Sequence, residues 1–269
     1  MKQKIFLTCS LAFFLIFSTS TNAFAVITTG GSGVSHYHAY GNCSHEDVVG
    51  IQAVANCLNE LTRVGGYNIY QKFSYYDEHA WEADFLTASY NNVDDVDFAV
   101  FAGHGYVVGR HDGVYYNSLH FYTLNSNTNF HTSEGDDYSN ADSQEIWWGL
   151  NGVTKWVATF SCNLLNSSGP KWTSIMGGVH QVLGYASTMY LDSRQTSYFA
   201  SQIGYGTYSI KQGFFDSNAI YQPNTGSTPT VARVLAANIS ANDTLRSYSR
   251  KPAKIQDGTD TYNYWTISY

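Results

Sequence analysis

Two short apolar runs dominate the hydrophobic pattern of this chain, and each ends in one reactive residue. The first reads Asp97-Phe-Ala-Val-Phe-Ala-Gly-His104-Gly105, the second Lys155-Trp-Val-Ala-Thr-Phe-Ser-Cys162. Both are rich in Val, Phe, Trp and Ala and too short for helices, which predicts buried strands. Elsewhere Val48, Ile51, Val54, Ala55, Leu58 and Leu61 recur at helical spacing. Ser44 and Asp47 resemble a weak capping box ahead of that helix, and Gly65-Gly66 ends it. Alternation predicts strands over 34–40, with His36 and His38 on one face, over 67–73 and over 262–267. An apolar run over 179–186 predicts a further strand. Helices are expected over 79–90 (Trp81, Phe85 and Leu86), 144–150, 193–203 and 231–239. Residues 26–33 read as a mobile lead-in and 222–230 as a loop. Strands alternating with helices predict one α/β domain over 26–269, a largely parallel central sheet flanked by helices. Residues 106–143, rich in Asn, Tyr, Ser and Asp, form a long insertion without a sustained apolar period.

A His just past one strand and a Cys just past another can meet beyond the carboxyl ends of a parallel sheet, where such sheets place their ligands. A thiol there needs a base to make and hold the thiolate, and imidazole supplies one. The pattern therefore predicts a Cys–His hydrolase, with no cofactor.

The first 25 residues change where that chemistry would operate. Lys2 and Lys4, an apolar core over 5–17 and Ala23-Phe24-Ala25 read as a signal peptide. The core is too short and too interrupted to favour a permanent membrane anchor. Its removal leaves 12 basic residues (14 minus 2) against 21 acidic ones, a net charge near −9 with histidines neutral. That balance argues against nucleic acid and anionic membranes as partners. The expected location is outside the cytoplasm, secreted or in the cell envelope. Of the remaining cysteines, Cys43 and Cys57 flank a short helical-looking segment and suit a disulfide once folding brings them close. Cys162 is then left over, either a functional thiol or a buried, inert one.

With those residues in view, the chain resembles the caspase, legumain and gingipain clan of cysteine peptidases, and a group of uncharacterised bacterial proteins related to it. The shared features are the two strand-borne motifs, Ala80-Trp81-Glu82-Ala83-Asp84-Phe85, and Gly178-Val-His180-Gln-Val-Leu-Gly184-Tyr185. Together they span roughly 67–200. Phe160-Ser161 stands where caspases or legumains carry Gln-Ala or Glu-Ala. The resemblance implies Cys162 as nucleophile and His104 as general base and then acid. The N–H groups of Gly105 and Cys162 become the oxyanion donors, and a peptide or protein is the substrate. Physically, a tetrahedral intermediate needs donors aimed at its oxyanion, and Gly105 has no side chain to obstruct it.

Other residues admit competing readings. His36, His38, His45 and Asp47 are the densest metal-capable set but match no known ligand spacing, so no metal is expected. Asp94, Asp95 and Asp97, or Glu134, Asp136, Asp137 and Asp142, do not match a calcium loop and read as solvated turns. His180, in an apolar run, reads as a core histidine or as lining the cleft. Asp192 reads as a surface acid or as a pocket for a basic side chain. A non-catalytic secreted binding module on the same fold, with a tyrosine-rich surface, is the alternative function.

Overall fold

The structure is a computed structural model that describes residues 26–37, 46–85, 92–109, 115–121, 140–142, 146, 148–150, 152–166, 175–223, 229–254 and 257–269. Its framework is a seven-stranded sheet. Strands β1 (Ile27–Gly33), β2 (Ile69–Tyr76), β3 (Phe98–Ala102), β7 (Trp156–Phe160), β8 (Gln181–Tyr185), β9 (Val231–Ala237) and β10 (Tyr262–Ser268) lie in the order β10-β9-β8-β7-β3-β1-β2. The five strands from β2 to β8 are mutually parallel, and β9 runs antiparallel to both β8 and β10. Between β3 and β7 the chain builds a second sheet, β4 (Gly105–Gly109), β5 (Tyr115–His120) and β6 (Asn140–Asp142), all antiparallel. Part of the expected insertion is therefore an ordered sheet beginning one residue after His104.

Three helices, α1 (Gly50–Gly65), α2 (Ser193–Gly204) and α3 (Ile210–Tyr221), share one core with the large sheet. The β3 pleat explains how: Phe98, Val100 and Ala102 join the helix-side core, while Ala99 and Phe101 join the opposite one. That opposite core holds Phe85, Phe121 and Trp148 at its centre. Among the described residues no helix is long and apolar enough to cross a membrane.

Several expectations are corrected. Residues 26–33 are not a lead-in but hold β1, inside the sheet between β2 and β3. Its burial is of main chain: a Cβ on Gly33 would sit 2.6 Å from the Gly50 carbonyl oxygen, so the glycine lets α1 approach closely. The expected strand over 34–40 is irregular in its described part, 34–37. Of the expected helix over 231–239, residues 231–237 form β9, because the short Val- and Ala-rich run is buried on both faces, and Asn238–Ser240 make a 3-10 turn. Over 79–90 the described part contains only 3-10 turns. There the Asp84 carboxylate accepts the Trp81 N–H at 3.0 Å, a local bond that competes with helix. Around 144–150, Trp148 bridges to Met176 instead of entering a helix.

The disulfide expectation also fails at Cys57. This thiol is free and faces the helix-side core, where burial pushes its pKa up to about 12. Cys43 lies outside the described residues, as do the signal segment, His38, His45, Glu134, Asp136 and Asp137.

Candidate active site

The parallel register of β3 and β7 builds the site. Ala102 pairs with Phe160, and the Gly103 N–H donates to the Phe160 carbonyl at 3.3 Å. His104 and Cys162 each follow two residues later, so both leave the sheet at the same edge, on neighbouring strands. Main chain meets main chain there, since a Cβ on Gly105 would lie 2.3 Å from the Cys162 carbonyl oxygen.

His104 is anchored twice by the segment leading into α1. Its Nε2 lies 2.7 Å from the Glu46 carbonyl oxygen. A carbonyl only accepts, so Nε2 carries the proton, and in the neutral ring Nδ1 bears the lone pair. Its main-chain N–H donates to the Tyr37 hydroxyl at 2.8 Å, and the Tyr37 ring lies 4.6 Å from the imidazole. A base oriented by a third group is what nucleophile activation requires.

Cys162 is differently engaged. The Met189 N–H donates to Sγ at 3.4 Å, and the thiol faces the Met189 carbonyl at 3.7 Å. Burial raises the thiol pKa, and the Met189 N–H offsets only part of that rise. The structure thus juxtaposes the main chains of the two residues, but the polar partner of Sγ is Met189, not the imidazole. The Met189 segment is itself clasped by buried Gln222, whose amide accepts the Tyr190 N–H at 3.0 Å and donates to the Tyr190 carbonyl at 2.9 Å.

The two N–H groups expected to serve as oxyanion donors can be followed through the main-chain hydrogen bonds. His120 donates to the His104 carbonyl at 3.0 Å, making His104–His120 a hydrogen-bonded position. Antiparallel positions alternate, so the neighbouring Gly105–Leu119 pair is non-hydrogen-bonded and the Gly105 N–H points away from β5. The Cys162 N–H makes no main-chain hydrogen bond among the described residues.

His180 does not line this cleft. Gln181 pairs with Trp156, so His180 precedes β8 at the edge where β7 begins, roughly 20 Å along the strands from Cys162. There its Nδ1 meets Asp243 at 2.6 Å, with both side chains buried. Asp192 follows Met189 at the correct edge, but its carboxylate caps α2 through the Arg194 N–H and pairs with the Arg194 guanidinium. That hydrogen-bonded pairing lowers its pKa.

The metal-capable residues are occupied individually. His36 pairs with Asp77, Asp47 accepts the Tyr37 N–H, and Asp97 binds Lys155 and Thr28. Asp94 accepts the Gly149 N–H, and Asp95 pairs with Lys72. Among the described residues no three His, Cys, Asp or Glu side chains converge to hold a metal ion. Asp84 is a buried carboxylate whose pKa burial raises to about 7, with the Trp81 N–H pulling the other way. The site residues that sequence reasoning missed are Tyr37 and the carbonyls of Glu46 and Met189. A carbonyl leaves no mark on side-chain identity, and Tyr37 lay inside an expected strand.

The family described as "Domain of unknown function (DUF6345)" matches residues 33–269. No curated protein matches. Among solved structures, the Drosophila initiator caspase Dronc matches at 10% identity over 90% of this chain and 82% of that one, with a TM-score of 0.38.

Proposed function

The chain belongs to the DUF6345 family, and from its site we propose that it is a secreted hydrolase that cleaves peptide or related amide bonds with a Cys162–His104 dyad. The observation that carries this reading is the matched exit of two neighbouring parallel strands, one bearing an imidazole with its Nε2 on the Glu46 carbonyl, the other a thiol. Substrate entry displaces Met189 from Sγ, and the thiol proton passes to Nδ1 of His104. The thiolate attacks the amide carbon, and the resulting oxyanion is met by the N–H groups of Gly105 and Cys162. Collapse breaks the C–N bond as His104 returns its proton to the leaving amine. Water, deprotonated by the same ring, then releases the acid and regenerates the thiol. Removal of residues 1–25 on export is part of the proposal.

The desolvated thiol and its Met189 contacts favour a second reading, a binding module with an inert cysteine. A proteome-derived peptide library incubated with the mature protein and read by mass spectrometry separates the two. Cleavage that vanishes in folded Cys162→Ala and His104→Ala supports the hydrolase. Turnover retained in either variant removes that residue from the mechanism, and no cleavage by the wild type leaves the binding module.

A further inference from the structure

We infer that Tyr37 is a positioning residue for His104, holding the imidazole's main chain by standing in for a missing bond of the β4–β5 ladder; this inference rests on the dyad proposed above. A hydrogen-bonded pair in an antiparallel ladder ordinarily exchanges two N–H···O bonds. At the His104–His120 position only one is made directly, from the His120 N–H to the His104 carbonyl. The Tyr37 hydroxyl fills the place of the other. It accepts from the His104 N–H at 2.8 Å and donates to the His120 carbonyl at 3.1 Å. Its ring packs at 4.6 Å from the His104 imidazole and lies stacked, 16° from coplanar, on buried His120.

The phenol therefore ties the base to the second sheet, beside the stretch of chain whose Glu46 carbonyl holds the ring nitrogen Nε2. Tyr37 and Glu46 stand on two stretches, 34–37 and 46–49, tied to each other by the Tyr37 N–H to Asp47 and by the Val48 N–H to the Ser35 carbonyl at 3.0 Å. These two tied stretches thus fix His104 at its main chain through Tyr37 and at Nε2 through Glu46. The hydroxyl bridges a donor and an acceptor in the interior, where leaving either unmade is costly. Tyr37 touches no reacting atom; it acts through His104.

The test is proton–nitrogen NMR of the mature protein, with the His104 Nε2–H resonance assigned by its loss in His104→Ala. In the wild type that proton is bonded to the solvent-facing Glu46 carbonyl, so it is observed at low temperature and mildly acidic pH, where its exchange with water is slow. Tyr37→Phe keeps the ring and deletes the hydroxyl. The expected result is loss of the Nε2–H resonance with the fold retained, and where a substrate is cleaved, kcat lower by about 10–100-fold at nearly constant KM. Asp47→Ala, which cuts the Tyr37–Asp47 tie, gives the same loss and serves if the phenylalanine variant does not fold. An unchanged Nε2–H resonance in both variants, or none in the wild type, overturns the inference. If the resonance behaves as expected but the wild type cleaves nothing, the hydrolase reading fails and the Tyr37 anchor stands.

Discussion

Replacing Gly105 with alanine tests the contact on which the candidate site is built. The new Cβ would lie 2.3 Å from the Cys162 carbonyl oxygen, 3.1 Å from the Ser161 Cβ and 3.2 Å from the Ser118 carbonyl oxygen. A carbon ordinarily approaches a carbonyl oxygen to about 3.3 Å, so β4 must retreat by about 1 Å. Two of the three obstructing atoms are main-chain oxygens and the third is a Cβ, so no side-chain rotation relieves the clash. Overpacking of this kind costs about 1–3 kcal/mol, which in a domain of this size lowers Tm by about 2–12 °C. The same retreat carries the Gly105 N–H out of the proposed oxyanion position, and losing one such donor costs about 100–1,000-fold in kcat. Calorimetry and cleavage of a peptide found in the library screen read the two effects separately. An unchanged Tm refutes the close approach of β4 to Cys162. A lowered Tm with kcat intact refutes the oxyanion role and leaves Gly105 a packing residue.

Three further outcomes follow from buried groups. Burial raises the folded-state pKa of Asp84 above its unfolded value of 3.8 to about 7, so the folded protein holds the extra proton and stability falls as pH rises across that window. Asp84→Asn, which keeps an acceptor for the Trp81 N–H, should therefore raise Tm at pH 8, by on the order of 2 kcal/mol of stability, and change little at pH 4; equal shifts at both would contradict this. The Cys57 thiol should resist iodoacetamide at pH 8 in the native protein and label fully in denaturant without reductant, whereas resistance in denaturant would establish a disulfide. His180→Ala leaves Asp243 buried without its partner and should cost about 3–5 kcal/mol, yet leave kcat/KM of the folded fraction intact, since the pair sits at the far edge of the sheet.

Where side-chain pattern decided the outcome, the elements were legible. The apolar runs before His104 and Cys162 became β3 and β7, and α1 ended at Gly65 as the glycine pair required. Strand β1 escaped because its glycines bury main chain and carry no hydrophobic signal. Helix α3 went unread although Ser209, followed three residues later by Gln212, begins it with a side-chain cap. In the site, His104 and Cys162 were visible as reactive side chains at strand ends. The Glu46 carbonyl was not, because any residue supplies one. His180 is the core histidine of the first reading and not a lining of the cleft, because parallel pairing sends the start of β8 to the start of β7, a fact of topology that spacing does not contain.

The seam between β3 and β7 also bears on when the chain becomes chemically competent. His104 and Cys162 are 58 residues apart (162 minus 104), and the whole second sheet is threaded between them. Parallel pairings of this separation close large loops and form slowly. The Glu46 carbonyl adds a third, earlier piece of chain that must arrive before the imidazole is oriented. A chain emerging in extended form therefore carries an ordinary thiol and an ordinary histidine, and the two meet only once β3 and β7 have paired. For the proposed exported hydrolase, transit through a membrane in the unfolded state would precede the dyad, and the order of folding would itself restrain the proposed chemistry.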